Sequence, residues 1–256
     1  MWMNLYQKTV YEAYKSKERL GYMFFETKNM FIVLWNETQM SYLNAVHCQQ
    51  FGKAELNFIK EKLPNTFLCI ASNQSVDDIA LPVKKGTSSY LMMLKAQSPM
   101  KENNRFEILR VTDQKTLADF CDVVTDVYDL AKDKDALLRS CSKEIGLDNC
   151  FKYVGYVNHQ PAGAVEFSEG KDAAYVAWGA VKQPYRKQGL YTAIMARAIN
   201  YEIDRGLNTI VLNSSETGKS VYKKMGFEFL ADRHNYILES CQRQTRIKEI
   251  TLNDQI

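Results

Sequence analysis

The chain has 256 residues, of which 46% are hydrophobic, 12% aromatic and 25% charged, which is ordinary for a globular protein with one large or two small domains. Thirty-three basic residues against thirty acidic ones leave a formal net charge of +3, too small a bias to indicate nucleic acid or an anionic membrane as a partner. No segment has the apolar core of a signal peptide or the roughly 20 apolar residues that span a bilayer, so we expect a cytoplasmic protein.

The N-terminal hundred residues predict a small α/β lobe. Apolar residues at helical spacing, runs of β-branched and aromatic residues, and a proline that ends a helix carry this prediction. The predicted elements are a helix over 1–22, a strand over 31–35, a helix over 53–63 and strands over 67–71 and 89–96. The polar stretch 97–104 contains one proline and separates this lobe, 1–100, from a second domain over 105–256.

The second domain begins with a strand and a helix, for which Asp113 is a suitable N-cap. Short links at 158–160 and 169–172 require antiparallel neighbours, whereas the later elements alternate between helix and strand. The predicted strands are 106–111, 151–157, 161–168, 173–181, 209–212, 227–231 and 235–239. The predicted helices are 114–131, 136–145, 190–205 and 216–225, with Gly146, Gly206 and Gly226 closing the last three. The class is therefore mixed α/β with a mostly antiparallel central sheet.

The cysteines and histidines do not suggest a metal site or disulfides. The cysteines are Cys48, Cys69, Cys121, Cys141, Cys150 and Cys241, and no two of them form a CxxC pair. The three histidines are far apart in sequence. We expect reduced, mostly buried thiols and no bound metal.

The segment RKQGLY (186–191) joins the strand over 173–181 to the helix that follows. The first N–H groups of a helix have no intrahelical acceptor and lie at the positive end of its dipole, so they bind anions. Gly189 lets a phosphate approach the backbone, and Arg186 and Lys187 add positive charge. The segment predicts a pyrophosphate site, although a plain basic loop has the same pattern.

From Phe106 to about Glu239 the element order resembles the GNAT superfamily of acyl-CoA-dependent N-acyltransferases. RKQGLY is similar to that family's pyrophosphate motif, Arg/Gln-x-x-Gly-x-Gly/Ala, with Arg186 and Gly189 in matching positions. Tyr191 departs from the motif because it places a large side chain where the family has glycine or alanine.

Two further segments support the resemblance. In SVYKKMGFEF (220–229), Tyr222 and the Met-Gly-Phe turn at 225–227 match the family's helix-to-strand segment. AWGAV (177–181) resembles the strand that splays from its parallel neighbour and pairs with the pantetheine amides, which implies that role for Ala180 and Val181. The resemblance thus implies a GNAT-like fold with a smaller N-terminal α/β lobe.

The resemblance also implies a function, transfer of an acetyl group from acetyl-CoA to a primary amine. Tyr222 matches the residue that protonates the departing thiolate, a role suited to a phenol held near sulfur. Asn213 ends the strand beside the splay, where the family contacts its co-substrate. The implied acetyl-CoA-binding residues are Ala180, Val181, Arg186, Lys187, Gln188, Gly189, Leu190, Tyr191 and Asn213.

The general base is harder to predict. The family often has a glutamate six residues before the valine that ends the splayed strand, and this chain has Tyr175 there. If the turn at 169–172 closes a regular hairpin, Ser168 faces Ala173 and Glu166 faces Tyr175 on the same side of the sheet. Glu166 is therefore the candidate base, with a solvated or hydrogen-bonded glutamate as the alternative.

Several alternatives remain. A non-catalytic acyl-CoA sensor and an aminoacyl or peptidyl transferase are compatible with the same fold. The segment 213–220 ends in GKS like a phosphate-binding loop, but Asn213 replaces its first glycine, which argues against nucleotide hydrolysis. The end of the first lobe, 84–94, echoes the C-terminal segment, as in a degenerate second GNAT half, and an unrelated lobe is equally compatible. The acceptor amine, the acyl chain length and the oligomeric state are left open.

Overall fold

The structure, a computed structural model, describes residues 4–35, 44–63, 68–75, 83–86 and 88–238. Predictions on Pro64, Phe67, Glu239 and Cys241 lie outside these residues. The described strands are β1 (Tyr22–Glu26), β2 (Met30–Trp35), β3 (Ala45–Cys48), β4 (Cys69–Ser72), β5 (Val83–Lys85), β6 (Ser89–Lys95), β7 (Glu107–Arg110), β8 (Cys150–Val157), β9 (Gln160–Glu169), β10 (Ala174–Val181), β11 (Thr209–Ser214) and β12 (Glu228–Leu238). The α-helices are α1 (Leu5–Lys15), α2 (Lys53–Lys62), α3 (Gln114–Val127), α4 (Lys134–Glu144), α5 (Leu190–Asp204) and α6 (Glu216–Lys224).

One sheet of twelve strands runs through the described residues in the order β1-β2-β3-β4-β12-β6-β11-β10-β9-β8-β7, with β5 also paired to β12. The predicted mixed α/β class with a mostly antiparallel sheet is confirmed, since among the described strands only β3–β4 and β10–β11 are parallel. The strands of the two predicted lobes are interleaved in this one sheet. β6 of the first lobe lies between β11 and β12, and β12 in turn pairs with β4 and β5. The boundary at 97–104 stays a prediction.

Helices cover both faces of the sheet between β8 and β11. On the first face, α1 and α3 pack on a core that includes Phe120, Val154 and Trp178. On the second face, α5 packs against β8, β9 and β10. A Cβ at Gly155 or Gly163 would lie within 2.7 Å of the Ile194 side chain, so glycine at these positions lets α5 approach the sheet closely.

Most elements of the second domain match their predicted ranges. Asp113 caps α3 by accepting a 2.8 Å hydrogen bond from the Thr116 amide, and Gly146, Gly206 and Gly226 all have positive φ. Three corrections apply. The first helix ends at Lys15, since a short 3₁₀ turn and a left-handed Gly21 lead into β1. β1, β3 and β5 were not predicted, and the two predicted C-terminal strands form one continuous strand, β12, with a bulge.

The described cysteines are free thiols, and four of the five are buried. Within the described ranges, no helix is both long and apolar enough to cross a membrane.

Candidate active site

A gap opens in the middle of the sheet between β10 and β11. The two strands pair in parallel only from Ala174–Ile210 to Val176–Leu212. A bulge between Val176 and Trp178 then turns β10, which continues along β9, while β11 continues along β6. The strand AWGAV therefore separates from its parallel neighbour, as the resemblance predicted.

The hydrogen-bond pattern between β9 and β10 determines which backbone groups of β10 face this gap. The Lys182 amide donates to the Ala162 carbonyl at 2.9 Å, and successive residues of a strand point to opposite sides. The backbone N–H and C=O groups of Ala180 therefore point toward β9, which corrects its predicted pairing with the pantetheine amides. Those of Gly179 and Val181 face the gap. Their carbonyls accept from the side chains of Tyr128 and Arg186, both at 2.9 Å, and their N–H groups point into the gap.

An anion cradle lies where β10 leads into α5. The first intrahelical bond runs from the Ala193 amide to the Gly189 carbonyl, so the N–H groups of residues 190–192 have no acceptor within the helix, and no side chain caps it. Gly189 has φ 84°, and a Cβ added there would meet no atom within 4 Å. Lys187 and Gln188 are exposed at the rim, and Arg186 is half-buried. The cradle is open and positive, as an anionic group requires.

Leu190 and Tyr191 turn their side chains away from this cradle into the core. Leu190 packs against Gly163, so only its backbone can serve an anion. Tyr191 is buried, and its hydroxyl lies 2.6 Å from the hydroxyl of Tyr222. The departure from the family motif at Tyr191 therefore leaves the cradle clear and places a phenol beside the gap.

Tyr222, on α6, completes this side of the gap. Its ring is buried edge-on to Tyr191 and to Phe227, at centroid distances of 5.8 and 5.4 Å. Burial raises the pKa of the Tyr222 hydroxyl above its ordinary value, and burial together with the neighbouring Tyr222 raises the pKa of Tyr191 well above its own ordinary value. Both phenols therefore keep their protons at neutral pH, and one of the two donates the hydrogen bond that joins them.

The contact between Tyr191 and Gly179 can be tested by substitution. A Cβ at Gly179 would lie 2.3 Å from the Tyr191 hydroxyl, which Tyr222 holds in place. We expect Gly179→Ala to lower the free energy of unfolding by about 1–3 kcal/mol through overpacking, as measured by chemical denaturation. Adding Tyr191→Phe removes the clashing oxygen, so the double variant should recover most of the loss relative to Tyr191→Phe alone. An undiminished loss in the double variant would show that the contact is not responsible.

Glu166, the predicted base, lies elsewhere. The predicted pairing of Glu166 with Tyr175 is wrong: the turn places Ser168 opposite Tyr175, two residues beyond the predicted register, and the bulge in β10 adds one more residue, so Glu166 faces Trp178. Trp178 belongs to the first face, whereas Tyr222 packs on the second. The structure therefore does not bring Glu166 and Tyr222 together.

Glu166 belongs to a buried ionic cluster, which we define as Lys17, Glu144, Lys152 and Glu166. The Nζ atoms of Lys17 and Lys152 each lie 3.2 Å from a Glu166 oxygen, and both lysines also contact Glu144. Two ammonium groups hold the Glu166 carboxylate as their counter-ion, which does not favour a role as a base. Cys141, Glu144 and Glu166 are close enough together to ligate a cation, but the lysines already neutralise both carboxylates. The absence of a metal site stays a prediction.

The other predicted residues fall at the end of β11. Asn213 is half-buried beside the gap, and its Oδ1 is buried without a hydrogen-bond partner. The GKS residues, 218–220, lie inside α6, whose N-cap Ser215 accepts a 3.1 Å hydrogen bond from the Gly218 amide. This segment is therefore helix and not a phosphate-binding loop. Sequence reasoning missed Gly179 and Tyr128, because within AWGAV the resemblance assigned the pairing to Ala180 and Val181, and Tyr128 reaches the gap only through the packing of α3.

Comparison with known proteins agrees with this geometry. Residues 131–244 match the family model of the acetyltransferase (GNAT) domain. No curated protein sequence matches the chain.

Several solved structures share the fold over most of the chain. A functionally unknown conserved protein from Staphylococcus epidermidis has a TM-score of 0.64 at 17% identity, over 84% of this chain and 92% of that one. A GCN5-related N-acetyltransferase from Kribbella flavida has a TM-score of 0.62 at 12% identity, over 88% and 95%. A tandem GNAT protein from the clavulanic acid biosynthesis pathway has a TM-score of 0.55 at 10% identity, over 81% and 77%. At these identities the likeness establishes the fold, and the GNAT-like fold predicted from the sequence is confirmed.

Proposed function

We propose that this protein is an N-acetyltransferase that moves an acetyl group from acetyl-CoA to a primary amine. The observation that carries the proposal is the gap between β10 and β11, which has the anion cradle at the start of α5 and the Tyr222 phenol beside it. The cradle fits a pyrophosphate, since the space beside Gly189 is open and the rim is basic. The N–H group of Val181, the nearer of the two free strand amides to the cradle, supplies a hydrogen bond for a pantetheine amide.

The reaction needs no covalent intermediate on the protein. The neutral amine attacks the thioester carbon, the carbonyl oxygen becomes an oxyanion, and the C–S bond breaks as the amide forms. In the proposal the Gly179 N–H, which lies nearer the bulge, stabilises the oxyanion and Tyr222 donates a proton to the departing thiolate. The proton lost by the amine passes to solvent, because Glu166 is bound to two lysines.

Thiol release tests this function directly. The purified protein is mixed with acetyl-CoA and a panel of polyamines, amino acids, amino sugars and lysine peptides, while calorimetry measures the binding of CoA. Turnover with any amine supports the acetyltransferase. Binding of CoA without turnover across the panel would favour the sensor, and the absence of both would reject the acyl-CoA site.

A matched pair of substitutions tests the cradle. Gly189 and Gly146 have nearly the same φ, 84° and 85°, and a Cβ at either position meets no atom within 4 Å. Aspartate tolerates this conformation, so neither Gly189→Asp nor Gly146→Asp should prevent folding, which the Tm of each variant checks. Only Gly189→Asp puts a carboxylate at the cradle, and we expect it to weaken CoA binding by about 10-fold or more through charge repulsion. Equal affinities in the two variants, measured by calorimetry, would contradict the assignment.

A further inference from the structure

The first face of the sheet is partly open beside the gap. We name as the acceptor floor five half-buried residues on neighbouring strands, namely Met93, Tyr175, Ala177, Asn213 and Ala231. The four apolar members pack on the first-face core, and Asn213 shares their side because it lies two residues beyond Val211 on β11. These side chains lie on both sides of the gap, on the face opposite α5.

Arg233 lies two residues beyond Ala231 on β12, on the same face, and is 8% exposed. One of its terminal nitrogens donates to the Tyr6 hydroxyl at 2.7 Å, and the other lies 3.4 Å from His47 Nδ1. The guanidinium carbon is 5.3 Å from the centre of the Tyr6 ring. Burial and the charge of Arg233 lower the pKa of His47 well below its ordinary value, so the imidazole is neutral.

Arg233 differs in its partners from the other buried cations of the described residues. Three cationic side chains, Lys17, Lys152 and Arg233, are buried in the described part of the chain. Each of the two lysines contacts two carboxylates. Arg233 has only neutral partners among the described residues, although its guanidinium carries five donors. Because a buried charge without a counter-ion is costly, this site favours an anion from outside the protein.

A short chain of contacts links Arg233 to the reacting end of the gap. The Tyr6 ring, which receives the hydrogen bond from Arg233, packs edge-on against Tyr175 at a centroid distance of 5.5 Å. Tyr175 belongs to the acceptor floor, directly before the bulge where β10 leaves β11. Asn213, on the same floor, presents an unpartnered carbonyl oxygen that can accept an N–H from an amine.

From this arrangement we infer that the acceptor is an amine that also carries a carboxylate, with the amine at the gap near Asn213 and the carboxylate on Arg233. The planar guanidinium fork matches a carboxylate with two parallel hydrogen bonds. The inference rests on the proposed acetyltransferase function and narrows it to amino-acid-like acceptors.

Matched acceptors test the inference. Thiol release from acetyl-CoA is compared for amino acids, β-alanine and γ-aminobutyrate against their amides and against alkylamines without the carboxylate. We expect the best carboxylated acceptor to have a kcat/KM at least about 100-fold above that of its amide, since the amide leaves the guanidinium unpaired. Arg233→Gln should raise the KM of that acceptor by about 100-fold and change the KM of acetyl-CoA by less than about 3-fold. Arg233→Lys, which keeps the charge but loses the fork, should give an intermediate KM.

A binding measurement separates this inference from the proposed function. Without acetyl-CoA, the carboxylated amines should raise the Tm of the wild-type protein and of Arg233→Lys, and leave the Tm of Arg233→Gln unchanged. Arg197→Gln is the control, since Arg197 forms an exposed pair with Glu102 and should behave as the wild type.

If uncharged amines are acetylated as well as their carboxylated counterparts, the inference is overturned while the acetyltransferase stands. If the Tm shifts depend on Arg233 but no amine is acetylated, the anion site stands and the proposed function fails. A preference for phosphorylated over carboxylated amines would also overturn the carboxylate assignment.

Discussion

Replacing Tyr222 with phenylalanine is expected to lower kcat by about 100-fold or more, the usual effect of removing a general acid, while the KM of acetyl-CoA changes by less than about 3-fold. Phenylalanine keeps the edge-on packing with Tyr191 and Phe227. The loss should therefore be confined to protonation of the departing thiolate. Steady-state thiol release with the best amine of the panel measures both constants.

Tyr191→Phe is the matched control for this substitution. Both variants break the same 2.6 Å hydrogen bond between two buried phenols, so their effects on folding should be similar, about 1 kcal/mol. Only Tyr222→Phe removes the hydroxyl assigned to the thiolate, and we expect Tyr191→Phe to lower kcat by less than about 10-fold. Equal losses in the two variants would assign the effect to the hydrogen bond, and an unchanged kcat in Tyr222→Phe would remove Tyr222 from the mechanism.

Tyr191 also illustrates what a motif can predict. The sequence identified the strand, the glycine and the helix start, because these depend on local backbone chemistry. It left the direction of the Tyr191 ring open, since that direction depends on Gly179, Tyr222 and the core around α5. Only the fold brings these residues together.

The misplacement of Glu166 has a similar cause. Short links predicted the hairpin of β9 and β10 correctly, but its turn sets a register two residues from the predicted one, and the extra residue in the bulge after Val176 moves Glu166 one position further, to Trp178. The bulge is also what separates β10 from β11, so the irregularity that completes the shift of Glu166 also creates the gap. A bulge cannot be predicted reliably from a single sequence, and in this protein it determines where the gap lies.

The pairing of β6 between β11 and β12 was equally hidden. β6 and β11 are more than a hundred residues apart, and no local pattern indicates which distant edge a strand will join. The consequence concerns function, because β6 and β12 contribute Met93, Ala231 and Arg233 to the face on which the acceptor is proposed to bind. The N-terminal lobe is therefore part of the site's framework.

The buried ionic cluster joins this lobe to the second predicted domain. Lys17 follows α1, whereas Glu144 ends α4 and Lys152 and Glu166 lie on β8 and β9. All four side chains are at most 4% exposed. The Tyr22 hydroxyl of β1 adds a 3.1 Å hydrogen bond to Glu144. Each charge is neutralised only while the others are present, so the loss of any one leaves the remainder unbalanced.

Glu144→Gln is accordingly expected to lower the free energy of unfolding by about 3–5 kcal/mol at pH 7, because it leaves two buried lysines with one carboxylate. Glu18→Gln is the control. Glu18 pairs with Lys15 at 2.8 Å on the surface, where both side chains are more than 40% exposed, and its loss should cost less than about 1 kcal/mol. Urea denaturation at pH 7 measures both values. Similar, small losses in the two variants would show that the cluster does not stabilise the fold.

The pH dependence gives a second measurement on the same variant. Burial alone would raise the pKa of Glu144, but Lys152 and Lys17 outweigh it and lower the pKa to about 2. The folded pKa lies below the unfolded value of about 4.3, so this carboxylate contributes stability above about pH 4 that is lost as the pH falls toward 2. Glutamine has no such titration, and the difference in unfolding free energy between wild type and Glu144→Gln should therefore narrow below pH 4. If the difference in unfolding free energy stays constant from pH 7 to pH 3, the negative charge of Glu144 contributes nothing to stability, and only the shape of its side chain matters.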